Sequence, residues 1–294
     1  MTDAAPHPRS AKAPLWALLR RVVARPSGAI GVALTLFHVA LALLAPLLST
    51  HDPTLPNAET INLAPSWAHL MGTDSLGRDV FARVVHGGQL ALMITACAAT
   101  IAVAWGGSAG IMLGIVGGRT DEIAMRFVDA MLSIPSLAFF LLMASIVGGG
   151  AWTVVPVLGF FYGVAVIRIA RAGTLQVAAQ DFVTAAKARG ETTGTVMRRE
   201  VLPNVSSILL VEGAMQWSWM LLAFSSLSFL GYGATPPTPD WGLMIASERG
   251  LLAVAPWSVL WPCAALSSLI IGINLLVDAI GKALGVDRTR EVPA

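Results

Sequence analysis

The chain has 294 residues, of which 12% are charged (19 Lys and Arg, 17 Asp and Glu) and 55% are apolar, with a mean hydropathy of +0.72. Soluble domains carry about 25% charged residues, so this chain lacks the polar surface to coat a soluble core, and it is far too apolar to be disordered. Two cysteines and five histidines supply neither a disulfide framework nor a structural zinc pattern, and no metal-ligand spacing is evident.

Residues 1–27 carry five Lys and Arg and read as a basic N-terminal segment. Charge-free stretches then occupy 26–51, 87–118, 130–167, 213–239 and 250–277. A helix needs about 20 apolar residues to cross a hydrocarbon core of about 30 Å. The first stretch is longer than the apolar core of a signal peptide, and its leader is longer than usual, which predicts a retained helix. The stretch 130–167 would be ~57 Å long as one helix, and Gly148-Gly149-Gly150 interrupts it. Two helices joined by a tight turn are expected there, with Trp152 at the interface. The sequence therefore predicts an all-α integral membrane protein with six transmembrane helices, near 28–48, 88–115, 127–148, 152–172, 205–232 and 257–280.

The connections fix the expected orientation. Segments 1–27, 117–126, 168–200 and 282–294 hold sixteen Lys and Arg, against three (Arg78, Arg83, Arg249) in the alternate connections. By the positive-inside rule both termini are expected in the cytoplasm, with a permease domain over 28–281 and a short tail over 282–294.

In the outer connection 49–87, Asp74 and Asp79, the latter four before Arg83, suggest a capped interfacial helix rather than a metal site or an acid pair. In the second span, Gly106-Gly-Ser-Ala-Gly110 has the form of a nucleophile elbow. It lies in an apolar span rather than a strand–turn–helix, and His38 is the only histidine within a span. Gly106, Gly110 and Gly114 instead form a small-residue ridge for helix packing.

The inner connection 173–203 is long and reads as a helix, with Leu175, Ala178, Phe182 and Ala185/Ala186 on one face. Gly190 is placed to end it, a shorter helical piece is expected over 194–201, and Leu202-Pro203 to open the fifth span. Glu212 follows about 14 Å further along that helix. A carboxyl at such depth either faces a solute pathway or is neutralised by packing partners. Trp217 and Trp219 share its span. Trp16, Trp67, Trp152, Trp241 and Trp257 are expected to anchor span ends, and Asp278 to pair with Lys282. No Gly-x-x-x-x-Gly-Lys-Ser/Thr string occurs, so ATP is not bound here in that way.

Thr184-Ala-Ala186, three residues, Gly190 and then Leu202-Pro203 resemble the EAA loop of ATP-binding-cassette (ABC) importer permeases. Gly72-Thr-Asp-Ser-Leu-Gly-Arg-Asp79, Ser226-Leu-Ser-Phe-Leu-Gly231, Pro236-Pro-Thr-Pro-Asp-Trp-Gly-Leu-Met244, Ala255-Pro-Trp257 and Asn274-Leu-Leu276 are similar to segments of the dipeptide/oligopeptide/nickel branch. They occur in the family's order over roughly 70 to 280. The match is closest to the second, dipeptide-type permease of the pair that such systems use.

The resemblance implies an ABC importer permease in the bacterial cytoplasmic (inner) membrane, beside a homologous second permease, two ABC ATPase subunits and a periplasmic solute-binding protein. ATP and Mg would be held by the ATPases, leaving no catalytic residue and no cofactor in this chain; no nucleic acid is involved. Thr184, Ala185, Ala186, Lys187, Gly190, Leu202 and Pro203 would couple to the ATPase, with Thr184 standing where the family has Glu. Glu212, Trp217 and Trp219 are candidates for the pathway. Gly72, Asp74, Gly77, Arg78 and Asp79 form a periplasmic segment that would meet the binding protein. A secondary transporter or channel acting alone is the alternative; it would need intramembrane charges at broken helices, and only Glu212 offers one.

Overall fold

The computed structural model describes residues 15–285. Much of the basic segment 1–27 and most of the tail 282–294 lie outside the described residues. Among the described residues the regular structure is helical, apart from an isolated bridge between Thr73 and Asp79. A short α1 (Leu15–Val23) leads into α2 (Pro26–Leu48), and α3 (Val80–Val116) returns after an irregular segment. Then come α4 (Gly118–Leu132), α5 (Ser136–Val147), α6 (Ala151–Ala178), α7 (Asp181–Ala188) and α8 (Thr193–Val196). The chain closes with α9 (Leu202–Phe229), α10 (Trp241–Glu248) and α11 (Trp257–Leu284).

Among the described residues, five helices are long and apolar enough to cross a membrane: α2, α3, α6, the stretch Thr193–Phe229 and α11. The pair α4 and α5 makes a sixth crossing if it is one span. The single helix expected over 127–148 is instead broken, with α4 and α5 bent by 88°. Pro135 explains the bend: it has no N–H to continue the ladder, and its ring drives Ile134 out of the helical region. The Ser133 N–H closes α4 on Asp129 O and Ala130 O. Helix α3 starts well before the expected 88, because the Asp79 carboxylate caps it by accepting the Ala82 N–H at 2.7 Å. Its 37 residues rise ~55 Å, far more than a hydrocarbon core of about 30 Å.

Lipid offers no hydrophobic drive between helices, so close van der Waals fit decides how they pair. The glycine ridge supplies that fit between α3 and α6. A Cβ on Gly106 would lie 2.2 Å from Gly163 O, and one on Gly110 2.5 Å from Ile167 O. Ser108 Oγ donates to Ala104 O at 2.6 Å, a bond within its own helix. His38 hydrogen-bonds Ser268 Oγ at 2.8 Å and so joins α2 to α11. The central core gathers Ile94 and Ala98 of α3, Leu158 of α6, Phe224 of α9 and Ile273 of α11. Phe140 of α5 meets Phe161 of α6 edge to face, with centroids 5.1 Å apart.

This packing leaves two differently built ends. The crown combines residues 49–79 with 230–256; the elbow comprises residues 179–201 between α6 and α9.

Candidate functional site

The elbow has the two helical pieces expected on either side of Gly190, except that the first is broken at 179–180. Helix α6 ends at Ala178, the chain turns extended at Gln180, and α7 leads to Gly190 with φ +82°. That left-handed value suits glycine. Thr192 then caps α8 by accepting the Thr195 N–H at 3.3 Å.

The turn at 179–180 re-aims α7, so of the predicted face only Ala186 is fully buried. Leu175 and Phe182 are exposed, whereas Val183 and Ala186 are fully buried with Val196, Val201 and Val205. Ala186 therefore anchors the hairpin from within. Thr184, Ala185, Lys187, Gly190, Leu202 and Pro203 lie on its exposed rim.

Pro203 stands in the first turn of α9, as expected, but α9 continues from the helical piece before it. Residues Met197–Val201 form a π turn in which the Leu202 N–H reaches back to Met197 O. The wider turn accommodates a residue that has no N–H to give. A continuous helix therefore runs from Thr193 to Phe229.

Two ion pairs that sequence reading missed brace the region beside the elbow. Arg171 of α6 holds Asp121 of α4 with two bonds of 2.5 Å, and Arg168 pairs with Asp129. The bend at Pro135 is what brings α4 alongside α6. The only hint in the sequence was the presence of two arginines one helical turn apart. Asp278 and Lys282 pair at 2.7 Å.

Further along the continuous helix, Glu212 is 4% exposed and accepts the Gln216 Nε2–H at 2.6 Å. Trp217 donates from Nε1 to Thr95 Oγ1 of α3 at 2.8 Å, while Trp219 is exposed and its carbonyl accepts from the Tyr162 hydroxyl at 3.3 Å. The three candidates thus share a helix without forming one cluster.

At the crown the string 72–79 is a knot. Asp74 accepts the N–H groups of Leu76 and Arg78, both at 2.9 Å, and the Arg78 Nε at 2.7 Å. Arg83 stands 3.5 Å from the same carboxylate, so its acidic neighbour is Asp74 rather than Asp79. Ser75 gives its N–H and hydroxyl to Glu248, at 3.1 and 2.7 Å, tying the knot to α10. Gly72, Asp74, Gly77, Arg78 and Asp79 are all buried; Leu76 is the exposed tip. Asp79, besides capping α3, faces His69 and His51, a grouping that no sequence spacing announced.

Of the tryptophans assigned to membrane anchoring, Trp241 is internal and Trp257 half-buried. Trp241 is 2% exposed, wedged against Gly87 and Gly88, and donates to Val84 O at 2.8 Å. Trp257 donates to Thr73 O at 3.0 Å. Burial pushes the Asp240 carboxyl up to about 6, against the opposing pull of the Leu243 N–H and other donors. At the exposed Asp52, hydrogen bonds from Thr54 lower the pKa instead.

A family model described as "Binding-protein-dependent transport system inner membrane component" matches residues 106–288. A di/tripeptide transport system permease protein of Pseudomonas aeruginosa is 34% identical over 260 residues, covering 86% of each chain. A dipeptide transport system permease protein of Haemophilus influenzae is 32% identical over 261 residues, 87% of this chain and 88% of its own. A glutathione transport system permease protein of Pectobacterium atrosepticum is 31% identical over 250 residues, 85% and 83% of the two chains. These similarities, on a helical bundle with membrane-crossing helices, favour a subunit of a larger importer over a stand-alone secondary transporter or channel. The chain belongs to the family of binding-protein-dependent transport system inner membrane components: it is an ABC importer permease, a multi-pass protein of the bacterial cytoplasmic membrane.

Proposed function

We propose that this permease forms half of a translocation path for short peptides or a related small solute, the other half coming from a homologous permease. Two ABC ATPases sit beneath the elbow, and a periplasmic binding protein docks at the crown. Both termini face the cytoplasm, in keeping with the Lys and Arg asymmetry. ATP and Mg bind to the ATPases, and nothing in this chain is catalytic. The names of the relatives support the solute class: dipeptides, di- and tripeptides, and glutathione all present peptide bonds and charged ends.

The observation that carries the proposal is the elbow's construction. Its exposed rim (Thr184, Ala185, Lys187, Gly190, Leu202, Pro203) is mounted through buried Val183 and Ala186 on a helix that continues unbroken to Glu212 and beyond. A push on the rim is then delivered to the membrane as motion of a rod rather than lost in a hinge. Glu212 and Gln216, with Trp217 and Trp219 above them, belong to the moving helix, where a solute's amino end would find a carboxylate. Of the periplasmic segment, Gly72, Asp74, Gly77, Arg78 and Asp79 shape the loop, and Leu76 is the part that would meet the binding protein.

The test is co-purification with the ATPases encoded beside this chain, followed by ATPase assay with binding protein. Ala185→Glu and Lys187→Glu alter only the exposed rim; loss of ATPase association with an intact bundle is the expected result. ATPase binding and stimulation that ignore both variants would refute the coupling role. Glu212→Gln is expected to lower transport at least ~10-fold while leaving ATPase association intact. Unchanged uptake and solute preference would remove Glu212 from the path.

A further inference from the structure

We propose that His51, His69 and Asp79 form a binding site at the crown for a first-row divalent transition ion, with Zn²⁺ as the probe. Imidazole nitrogen and carboxylate oxygen are the ligand types such ions take. Here they come from three separate segments: His51 just beyond α2, His69 in the irregular connection, and Asp79 at the start of α3. Their ligand atoms all lie within 4.8 Å of one another. His69 Nδ1 is 2.8 Å from Asp79 Oδ2, His51 Nδ1 is 3.9 Å from the same oxygen, and the two rings lie 4.9 Å apart, tilted by 37°. In a tetrahedral site with bonds of about 2.0–2.1 Å, neighbouring ligand atoms stand ~3.3 Å apart. Small side-chain rotations therefore suffice to close the group around an ion.

Three further observations point the same way. The Asp79 carboxylate is divided in its work: Oδ1 accepts the Ala82 N–H at 2.7 Å, which orients the group, while Oδ2 faces the imidazoles. A ligand fixed by a second hydrogen bond is the usual arrangement around a protein-bound metal. The Asp79 side chain is only 4% exposed, and among the described residues its ion-pair partners are these two histidines alone. Arg83 lies instead against Asp74 and donates to Pro53 O. A buried carboxylate without an arginine or lysine needs positive charge, and a dication supplies it. Finally, the His51 side chain is 45% exposed and that of His69 12%. The group is closed at its base and open at His51, leaving an approach for the ion and room for a water as fourth ligand. An ion held there would clasp the first span to the start of α3.

The experiment uses the full-length chain with its companion subunits in nanodiscs, free of any histidine tag and stripped with chelator. Zn²⁺ binding is followed by calorimetry and by the shift in melting temperature. The expected result is one ion per chain, with His51→Ala and His69→Ala each weakening binding at least ~10-fold and abolishing the thermal shift. Asp79→Asn keeps an oxygen for the cap and is expected to weaken binding similarly. His86→Ala, a neighbouring histidine whose Nδ1 faces Ala82 O, is expected to change nothing. Absence of saturable binding, or binding that survives His51→Ala, would overturn the proposal; so would binding lost in His86→Ala. His51 is half exposed, so its removal does not endanger folding.

Discussion

The crown and the elbow are both irregular connections between helices, yet they are built on opposite principles. The crown is held by buried charge: Asp74 against Arg78 and Arg83, Glu248 on Ser75, and Trp241 donating to Val84 O. The elbow is held by small apolar side chains, with Val183, Ala186, Val196 and Val201 fully or almost fully buried. Buried hydrogen-bonded ions specify one geometry and tolerate little displacement. A small apolar contact can slide or re-seat at low cost. The end proposed to receive the binding protein is thus cross-linked, and the end proposed to be pushed is only packed.

The contrast breaks most visibly at Asp74. Asp74→Ala leaves two buried guanidinium groups facing each other, and truncating one partner of a buried pair costs about 3–5 kcal/mol. A large drop in melting temperature in nanodiscs, with protease cleavage appearing between 55 and 80, is expected. Val183→Ala at the elbow should instead leave the melt of the bundle in place.

Next in size is the pH response of the crown. Asp240 titrates near 6 in the fold and at 3.8 when unfolded, so between these values the folded chain holds the extra proton. Its contribution is therefore fully present below about 4 and is lost as the pH rises through about 6, on the order of 2–3 kcal/mol. Melting temperatures at pH 5 and pH 7.5 should differ by more in the parent than in Asp240→Asn, which retains a capping oxygen.

Gly190→Ala sharpens the elbow side. Space around the glycine is open, but φ is +82°, so the cost is the left-handed backbone alone, about 1–2 kcal/mol. ATPase association is expected to weaken measurably while the bundle's melt stays unchanged. The smallest effect belongs to the exposed pair Asp278–Lys282 at 2.7 Å. Lys282→Ala should shift stability by less than ~0.5 kcal/mol, detectable only at low salt.

Absence of charge was enough to locate the five long apolar helices, because uncharged apolar runs leave few other options for a chain in lipid. The glycine ridge was also legible, since a spacing of four residues puts Gly106, Gly110 and Gly114 on one side of a helix. What escaped was set by direction rather than composition. A single proline, Pro135, turned one span into two helices at 88°. A two-residue turn at 179–180 exchanged Phe182 for Val183 on the buried face of α7. Trp241 sits near a span end, as an anchoring residue would, yet Gly87 and Gly88 open a slot that takes the whole ring. The grouping of His51 with His69 and Asp79 depends on the path of the irregular connection, which no periodicity encodes.

The bend at Pro135 also bears on how this chain meets its surroundings. Helix α5 has 12 residues and α4 has 15, or ~18 and ~22 Å of rise, and turned through 88° neither covers an acyl region of about 30 Å. Hydrophobic mismatch costs fractions of a kcal/mol per Å, so a deficit of ~10 Å amounts to a few kcal/mol of bilayer deformation. Leu142, Ile146 and Val147 stand exposed along that short helix. Thickness-dependent tension at this one flank gives the lipid itself a reason to favour covering α5 with protein, as the proposed companion permease would.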